Sequence, residues 1–178
     1  INSSKNSKIK SALNDIRLSD YYGSSKELLI NLIISSNVND YDVHMAAIAA
    51  GWDNVTPATF NIVVNSGVIV GASSTSTYAF TVDNNFPAGC TFNLTNYGYI
   101  VGAGGDGGIG GYHYTYPCGS YRGGTTYCDA WTSGTAGVSG GSALLIQKNI
   151  NINNLGIIGG GGGGGGGSGY TQYSGRCA

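Results

Sequence analysis

Charged residues are scarce in this sequence. Among its 178 residues there are 8 Lys and Arg and 9 Asp and Glu, so the charged fraction is 10% and the formal net charge is −1. In a typical soluble domain about a quarter of the residues are charged. Proteins that bind nucleic acid gather basic residues into a patch that follows the phosphate backbone, whereas the basic residues here are spread thinly. The composition therefore argues against nucleic acid as a partner.

Long hydrophobic runs and prolines are scarce too. The longest apolar stretch, residues 28–34, is interrupted by Asn31 and is far shorter than the ~18 residues of a membrane-spanning helix. Three prolines in the whole chain exclude a collagen-like helix. The chain begins at Ile1 without an initiator Met or a signal-like apolar segment, and we expect it to be a cleaved or truncated piece of a longer protein.

The four cysteines all lie in the second half of the chain and are too far apart to form a zinc site. Zinc ligands usually include a pair two to four residues apart, and the closest cysteines here are ten residues apart. A catalytic thiol needs a histidine partner, and His44 and His113 are the only histidines. We predict no metal, no cofactor and two disulfides, as in an extracellular protein; four free thiols in a reducing compartment are the alternative. The predicted pairs are Cys118–Cys128, which closes a loop, and Cys90–Cys177, which ties the C-terminus to the body of the protein.

Glycine is the abundant residue: there are 32, concentrated after residue 98. In GAGGDGGIGG (residues 102–111) only every third residue is not glycine, glycine recurs every third residue from 134 to 140, and residues 159–167 are nine consecutive glycines. A period of three is that of the polyproline-II helix, which has no internal hydrogen bonds. We therefore predict packed polyglycine-II helices, with a flexible glycine-rich linker as the alternative. In the first tract, two glycine faces should be packed, and the third should carry Ala103, Asp106 and Ile109 outward.

The N-terminal half has the patterns of a mainly β region with one helix. Residues 26–34 are rich in Ile and Leu, and from residue 58 onward the chain alternates apolar and polar residues between Gly, Asn and Ser clusters, which predicts strands. DVHMAAIAAGW (residues 42–52) is the one good helix, with Asp40 or Asp42 as its N-cap and Gly51 as its stop. His44 lies in its first turn, where we expect a surface or half-buried histidine rather than a ligand.

A short motif recurs three times along the chain. Residues 65–71, 96–102 and 154–159 each contain Asn, one further residue and Gly, followed by a short apolar strand and another Gly. Because Asn and Gly tolerate positive φ, we predict that each copy is a tight corner between two strands. Three such corners indicate rungs stacked as in a small solenoid or sandwich, with three unrelated hairpins as the alternative.

These patterns predict a mainly β fold with one short α-helix. A small β-sandwich or solenoid-like N-terminal half should be followed by a polyglycine-II helix bundle with aromatic tip loops. We expect three parts: an attachment arm at residues 1–24, a mainly β docking domain with one helix at residues 25–101, and a polyglycine-II bundle carrying binding loops at residues 102–178.

Tyrosine-rich stretches lie between and after the glycine tracts. Residues 112–131 and 168–176 combine Tyr with Ser, Gly and one or two Arg, the composition of binding loops in which aromatic rings give a large contact area at a small entropic cost. The alternative is that these rings cap the bundle as a small core, and the alternation in residues 112–116 predicts that one face is buried. The predicted receptor-binding residues are Tyr112, His113, Tyr114, Tyr116, Tyr121, Arg122, Tyr127, Trp131, Tyr170 and Tyr173.

The glycine-rich half resembles the distal adhesins of T-even-type bacteriophage long tail fibres. LSDYYG (residues 18–23) and residues 46–80 also resemble recurrent pieces of phage tail and tail-tip proteins, so the resemblance covers about residues 18–178. It implies polyglycine-II helices whose variable loops recognise a bacterial surface receptor, with residues 112–131 and 168–176 as the contacting tips. It further implies an extracellular place in the virion at the distal tail fibre or tail tip, a tail-fibre or tail-tip protein as a second partner, and a homotrimer or a single cap on a trimeric fibre.

Several functions are compatible with this sequence. The favoured one is a phage adhesin that binds an outer-membrane protein or glycan of the bacterial surface. An ice-binding protein and a purely structural glycine-rich virion component are the alternatives, and the irregular outward face of residues 103–109 fits ice binding less well. An enzyme is not expected, because glycan hydrolysis needs two carboxylates about 5–9 Å apart, and Asp106 and Asp129 are the only acidic residues after residue 101.

Overall fold

The computed structural model describes residues 27–169, and within this range the protein is mainly β. One short helix accompanies the strands of these residues, which confirms the predicted mainly β class. No helix within this range is long and apolar enough to cross a membrane. The strands are β1 (Leu28–Ile34), β2 (Val38–Asn39), β3 (Tyr41–Asp42), β4 (Ala58–Val64), β5 (Ile69–Gly71), β6 (Phe80–Val82), β7 (Thr91–Asn96), β8 (Tyr99–Val101), β9 (His113–Tyr121), β10 (Gly124–Trp131), β11 (Leu144–Ile146), β12 (Ile150–Asn154) and β13 (Ile157–Gly159); the helix, α1, is Val43–Ala49.

Eleven of these strands coil into a solenoid with three sides. One sheet has the order β1-β4-β7-β12, the second β2-β5-β8-β13 and the third β3-β6-β11. Every neighbouring pair in these sheets is parallel. Successive turns of a chain that stack in one direction pair in this way, whereas hairpins pair antiparallel. The structure is therefore a solenoid, and the sandwich and the three unrelated hairpins that the sequence left open are wrong.

The glycine-rich excursion leaves the solenoid from its third coil. Strands β1–β3 make the first coil and β4–β6 the second, with helix α1 between them. The third coil consists of β7, β8 and β11, and residues 102–143 leave the sheets between its second and third sides. Strands β12 and β13 make the fourth coil, from which residues 160–169 continue. Residues 144–159, which lie in the expected glycine-rich part, thus supply strands to the same sheets as residues 28–101.

The core lies between the three sheets and follows from the alternation within each strand. In β4 the side chains of Phe60, Ile62 and Val64 are fully buried, because successive side chains of a strand point to opposite faces. The parallel register places Phe92 beside Phe60 on the next coil, and the two rings stack with centroids 5.1 Å apart. Burying one such side chain contributes about 1.5–3 kcal/mol, and the coils together form one continuous core.

Helix α1 is shorter than the predicted range of residues 42–52, and both of its predicted ends are confirmed. The carboxylate of Asp42 accepts hydrogen bonds from two N–H groups of the first turn at 2.8 and 3.1 Å, which is how an N-cap satisfies them. Gly51 has a φ of +94° and follows the last turn. His44 is half-buried, as expected; its ring packs against Phe86 with centroids 5.2 Å apart, and its Nε2 lies 2.7 Å from Asn54 Oδ1.

The three predicted tight corners are present between the first and second sides, and each joins two strands. Of the three corner glycines, Gly67, Gly98 and Gly156, only Gly67 has a positive φ, of +77°. The strand register makes the first corner residues 65–68 and the second only residues 97–98. A Cβ on Gly98 would lie 2.3 Å from a carbonyl oxygen of the first corner, and a Cβ on Gly156 would lie 2.1 Å from the carbonyl oxygen of Gly98. These two glycines therefore permit a close approach of stacked corners.

Asn96 stabilises the stacking of the corners from inside. Its side chain is fully buried and donates to Asn154 Oδ1 at 2.8 Å and to the Ile157 carbonyl at 3.1 Å. It also accepts a hydrogen bond from the Gly98 N–H at 3.1 Å. A buried polar group without partners costs about 1–3 kcal/mol. The asparagine of the second motif thus acts through its side-chain hydrogen bonds rather than through an unusual φ.

The three glycine segments (residues 102–111, 134–141 and 159–167) lie side by side and hydrogen-bond to one another. N–H groups of the first segment donate to carbonyls of the third, those of the third to the second, and those of the second to the first. Each segment is therefore hydrogen-bonded to both of the others. Partners recur at every third residue, with the first and third segments parallel and the second antiparallel to both. Between the first and third segments, the N–H groups of Gly102, Gly105 and Gly108 donate to the carbonyls of Gly159, Gly162 and Gly165 at 2.7–2.9 Å.

Between the three segments, glycine is required on one face of each; Gly141 is needed for a different reason, because a Cβ there would lie 2.9 Å from Thr75 Cα. A Cβ on Gly105 would lie 1.9 Å from a carbonyl oxygen of the second segment, and one on Gly164 would lie 1.9 Å from a carbonyl oxygen of the first. A Cβ on Gly107 would meet nothing closer than 3.7 Å. The prediction of two packed glycine faces is therefore wrong, because in a bundle of three each segment turns a single side toward the other two. The second segment has glycine at its inward positions, Gly134, Gly137 and Gly140.

Candidate functional site

A β-hairpin joins the first and second glycine segments. Strands β9 and β10 pair antiparallel over residues 113–131. The turn between them has positive φ at both central residues, 48° at Arg122 and 79° at Gly123, the combination of a type I′ turn, whose twist matches that of the strands. We expected a loop here, and the structure has a hairpin with one bulge. Two alternating stretches joined by Arg-Gly were the sequence signal for it.

The base of the hairpin is fixed to the glycine bundle. The Thr132 N–H donates to the Tyr112 carbonyl at 2.9 Å, and the Tyr112 N–H donates to Thr132 Oγ1 at 3.2 Å. One residue earlier, the Gly111 N–H donates to the Ser168 carbonyl at 2.8 Å. The hairpin therefore begins where the glycine segments end, at the end of the bundle away from the solenoid.

One face of the hairpin, here called the tyrosine face, carries three tyrosines of β9 together with Tyr112, the residue before β9, and small residues of β10. Tyr112, Tyr114 and Tyr116 lie at alternate positions, and their ring centroids are 5.9 and 6.3 Å apart. Tyr121 lies on the same face because a bulge at Cys118 shifts the alternation by one residue. These four side chains are 45–71% exposed. The β10 residues on this face are Gly124, Thr126, Cys128 and Ala130.

The opposite face, here called the histidine face, carries charged and aromatic side chains from both strands. His113 Nε2 lies 2.9 Å from Asp129 Oδ1, which is an ion pair whenever the imidazole is protonated. The His113 ring lies 5.4 Å from the Trp131 ring. Tyr127 lies on the same face and is 64% exposed. The His113 contacts join β9 to β10 near the base of the hairpin.

The tip of the hairpin carries its single basic residue. The Arg122 guanidinium lies 5.5 Å from the centroid of the Tyr121 ring, within the range of a cation–π contact. This contact places a positive charge at the far end of the tyrosine face.

A disulfide crosses the middle of the hairpin. Cys118 and Cys128 are bonded, with their Cα atoms 5.6 Å apart, as predicted. Cys118 is the extra residue of the bulge, since Gly119 pairs with Thr126 and Pro117 with Tyr127. Cys90 is bonded to neither of these cysteines. Cys177 lies outside the described residues, so the pair Cys90–Cys177 stays a prediction.

The predicted site residues that the structure describes all lie in the hairpin, while Tyr170 and Tyr173 lie outside the described range. The expectation that one face of residues 112–116 is buried is wrong, because every residue of β9 is exposed and the only strand paired with β9 in the described chain is β10. These rings therefore do not form the small core that was the alternative. Across residues 27–169, no cluster of His, Cys, Asp and Glu could hold a metal ion.

The comparison with known families covers the solenoid, the bundle and the hairpin together. The model of the family described as phage tail fibre adhesin Gp38 matches residues 29–177, which is most of the chain. The chain belongs to the phage tail fibre adhesin Gp38 family. Neither the curated proteins nor the solved structures contain a significant match to the sequence.

Membership of this family gives the role and the location. The protein is an adhesin of a bacteriophage tail fibre, and it belongs to the virion at the distal tail fibre. Its partners are a host receptor and the tail fibre to which it is attached. The predicted adhesin role and virion location are thereby confirmed. The family favours this role over ice binding and over a purely structural virion component.

Proposed function

We propose that this Gp38-family adhesin binds its bacterial receptor through the hairpin. The observation that carries the proposal is the exposure of every residue of β9, including large aromatic rings. Large exposed apolar patches on soluble proteins mark interaction sites, and Tyr, Trp and Arg carry most of the binding energy of interfaces. The proposed contacts are Tyr112, His113, Tyr114, Tyr116, Tyr121, Arg122, Tyr127 and Trp131, together with Tyr170 and Tyr173 of the C-terminal stretch.

We further propose that the three glycine segments are polyglycine-II helices that form a rigid stem for the hairpin. The support is that their hydrogen bonds recur at every third residue and connect different segments, as expected of a helix with three residues per turn and no internal bonds. At about 3.1 Å per residue, ten residues span about 30 Å. A rigid stem presents the rings beyond the solenoid while losing little conformational entropy on binding.

The remaining parts of the proposal concern the partners. The receptor is an outer-membrane protein or a glycan, and adsorption to host mutants that lack single porins or have truncated lipopolysaccharide distinguishes the two. The arm at residues 1–24 and the mainly β part at residues 25–101 dock the fibre, as a homotrimer or as a single cap on a trimeric fibre. The protein acts by binding alone and catalyses no reaction.

The test compares two tyrosines of similar exposure. Tyr114 on the hairpin is 45% exposed and Tyr99 on the solenoid is 42% exposed. Loss of an interface anchor costs on the order of 2 kcal/mol, about a thirtyfold fall in affinity. In binding of the isolated adhesin to host cells, which involves no fibre, we expect Tyr114→Ala to weaken attachment by about this factor, with an unchanged melting temperature, and Tyr99→Ala to leave attachment unchanged. Equal attachment by both variants would contradict the proposal.

A further inference from the structure

The backbone groups of the hairpin strands alternate between facing the partner strand and facing outward. The Thr132 N–H donates to the Tyr112 carbonyl, so the backbone groups of this pair face the partner strand. Because the direction alternates from one residue to the next along β10, the N–H and C=O groups of Thr125, Tyr127 and Asp129 face outward. The turn gives the same assignment from the other end, because the residues that flank a two-residue turn form an inward pair. The outer edge of β10 therefore has a regular series of outward N–H and C=O groups.

The outer edge of β9 has no such series. Pro117 occupies an outward position and has no N–H, and the bulge at Cys118 interrupts the spacing immediately after it. Proteins commonly block exposed edges with proline and bulges of this kind. Thr125, Tyr127 and Asp129 on the other edge all retain their N–H, and in residues 27–169 β10 pairs only with β9. One edge of the hairpin is thus blocked and the other is open.

We infer that the outer edge of β10, residues 125–129, binds an extended peptide segment of the receptor as a third strand. This inference rests on the proposed function of the hairpin. The occupant is a peptide because donors and acceptors that alternate about 6.8 Å apart along an edge match another extended backbone, and a glycan has no such series. A two-stranded hairpin is marginally stable on its own, so a third strand also completes the sheet.

The test is a pair of proline substitutions at directly opposed positions. Thr125 on β10 pairs with Ser120 on β9, and the backbone N–H groups of both residues face outward. Each of the two residues follows a glycine, and glycine is well tolerated immediately before a proline. Thr125→Pro and Ser120→Pro each remove one outward N–H and no hydrogen bond between β9 and β10. We expect Thr125→Pro to weaken attachment to host cells about tenfold, because a receptor carbonyl loses its donor. Ser120→Pro should leave attachment within about twofold of the unchanged protein.

A second measurement uses the unchanged protein, in case either variant folds poorly. Hydrogen exchange is followed with and without outer-membrane vesicles of the host. The inference expects slowed exchange at the amides of Thr125, Tyr127 and Asp129, and unchanged exchange at those of Thr115 and Ser120. Protection of both edges or of neither would overturn it.

The same vesicles identify the class of the occupant. Protease treatment of the vesicles should abolish the protection of the β10 edge, whereas vesicles with truncated lipopolysaccharide should retain it. The reverse pattern, or dimerisation of the protein that Thr125→Pro abolishes, would overturn the inference in favour of a glycan or a second copy. If Tyr114→Ala loses attachment while Thr125→Pro behaves like Ser120→Pro, the strand addition is wrong and the proposed function stands. If Tyr114→Ala binds normally, the proposed function itself fails.

Discussion

Two neighbouring glycines in the nine-residue run should respond in opposite ways to the same substitution. A Cβ on Gly164 would lie 1.9 Å from the Asp106 carbonyl oxygen, whereas a Cβ on Gly165 would meet nothing within 4 Å. Neither residue has a positive φ, so alanine fits both backbones. The difference between Gly164→Ala and Gly165→Ala therefore measures the packing of the bundle alone.

The magnitude follows from the hydrogen bonds beside the clash. Ordinary non-bonded contact needs about 3.5 Å, so the segments around Gly164 must separate by about 1.5 Å. The bonds that join the first and third segments on either side of the clash, from Gly105 N–H to the Gly162 carbonyl at 2.8 Å and from Gly108 N–H to the Gly165 carbonyl at 2.7 Å, would then exceed hydrogen-bonding range. At about 1 kcal/mol each, their loss costs about 2 kcal/mol. Gly165→Ala should be neutral or stabilise by about 0.4–1 kcal/mol, since alanine restricts the unfolded chain.

The assay is calorimetric unfolding of both variants together with hydrogen exchange at the Gly108 amide, which bonds the first segment to the third. For a protein of this size about 2 kcal/mol lowers the melting temperature by roughly 4–8 °C. If only the bundle opens, Gly164→Ala should instead accelerate exchange at Gly108 while the solenoid melts as before. Equal melting and equal exchange in the two variants would show that the glycine run is a linker and would refute the packed bundle.

Two further predictions concern the disulfide and an acidic side chain. In a complete tryptic digest of the native protein, the peptide of residues 123–148 should stay joined through Cys128 to the peptide that contains Cys118 and separate from it only on reduction. The double variant Cys118→Ser/Cys128→Ser should lose attachment while the solenoid melts normally, since the bridge constrains the hairpin by about 2–3 kcal/mol, and retained attachment would contradict this. Hydrogen bonds from Ser73 and then Thr77 hold the pKa of the Asp40 carboxyl below its ordinary value, so its contribution to stability is present at neutral pH and is lost as the pH falls below about 4. The melting temperature of Asp40→Asn should therefore fall less on acidification than that of the unchanged protein, and parallel melting curves would refute this.

The local features of the protein could be predicted from its sequence. Alternating residues gave β4 and β7, Asp42 and Gly51 gave the ends of the helix, and the period of three in glycine gave the three segments that lie side by side. The pair Cys118–Cys128 followed from spacing. In each case the information lies within a few residues, because strand alternation, helix caps and glycine periodicity are properties of a short stretch of chain.

What the sequence left open was decided by residues that meet only in the folded chain. Gly98 and Gly156 are needed because a stacked corner approaches them, and Gly105 and Gly164 because another segment does. The same reason explains why both faces of the hairpin are exposed: the alternation of residues 112–116 separates two faces, but only the surrounding structure determines whether anything covers them. The blocked edge of β9 and the open edge of β10 depend on how Pro117 and the bulge at Cys118 fall in the register, and register is a property of two strands together.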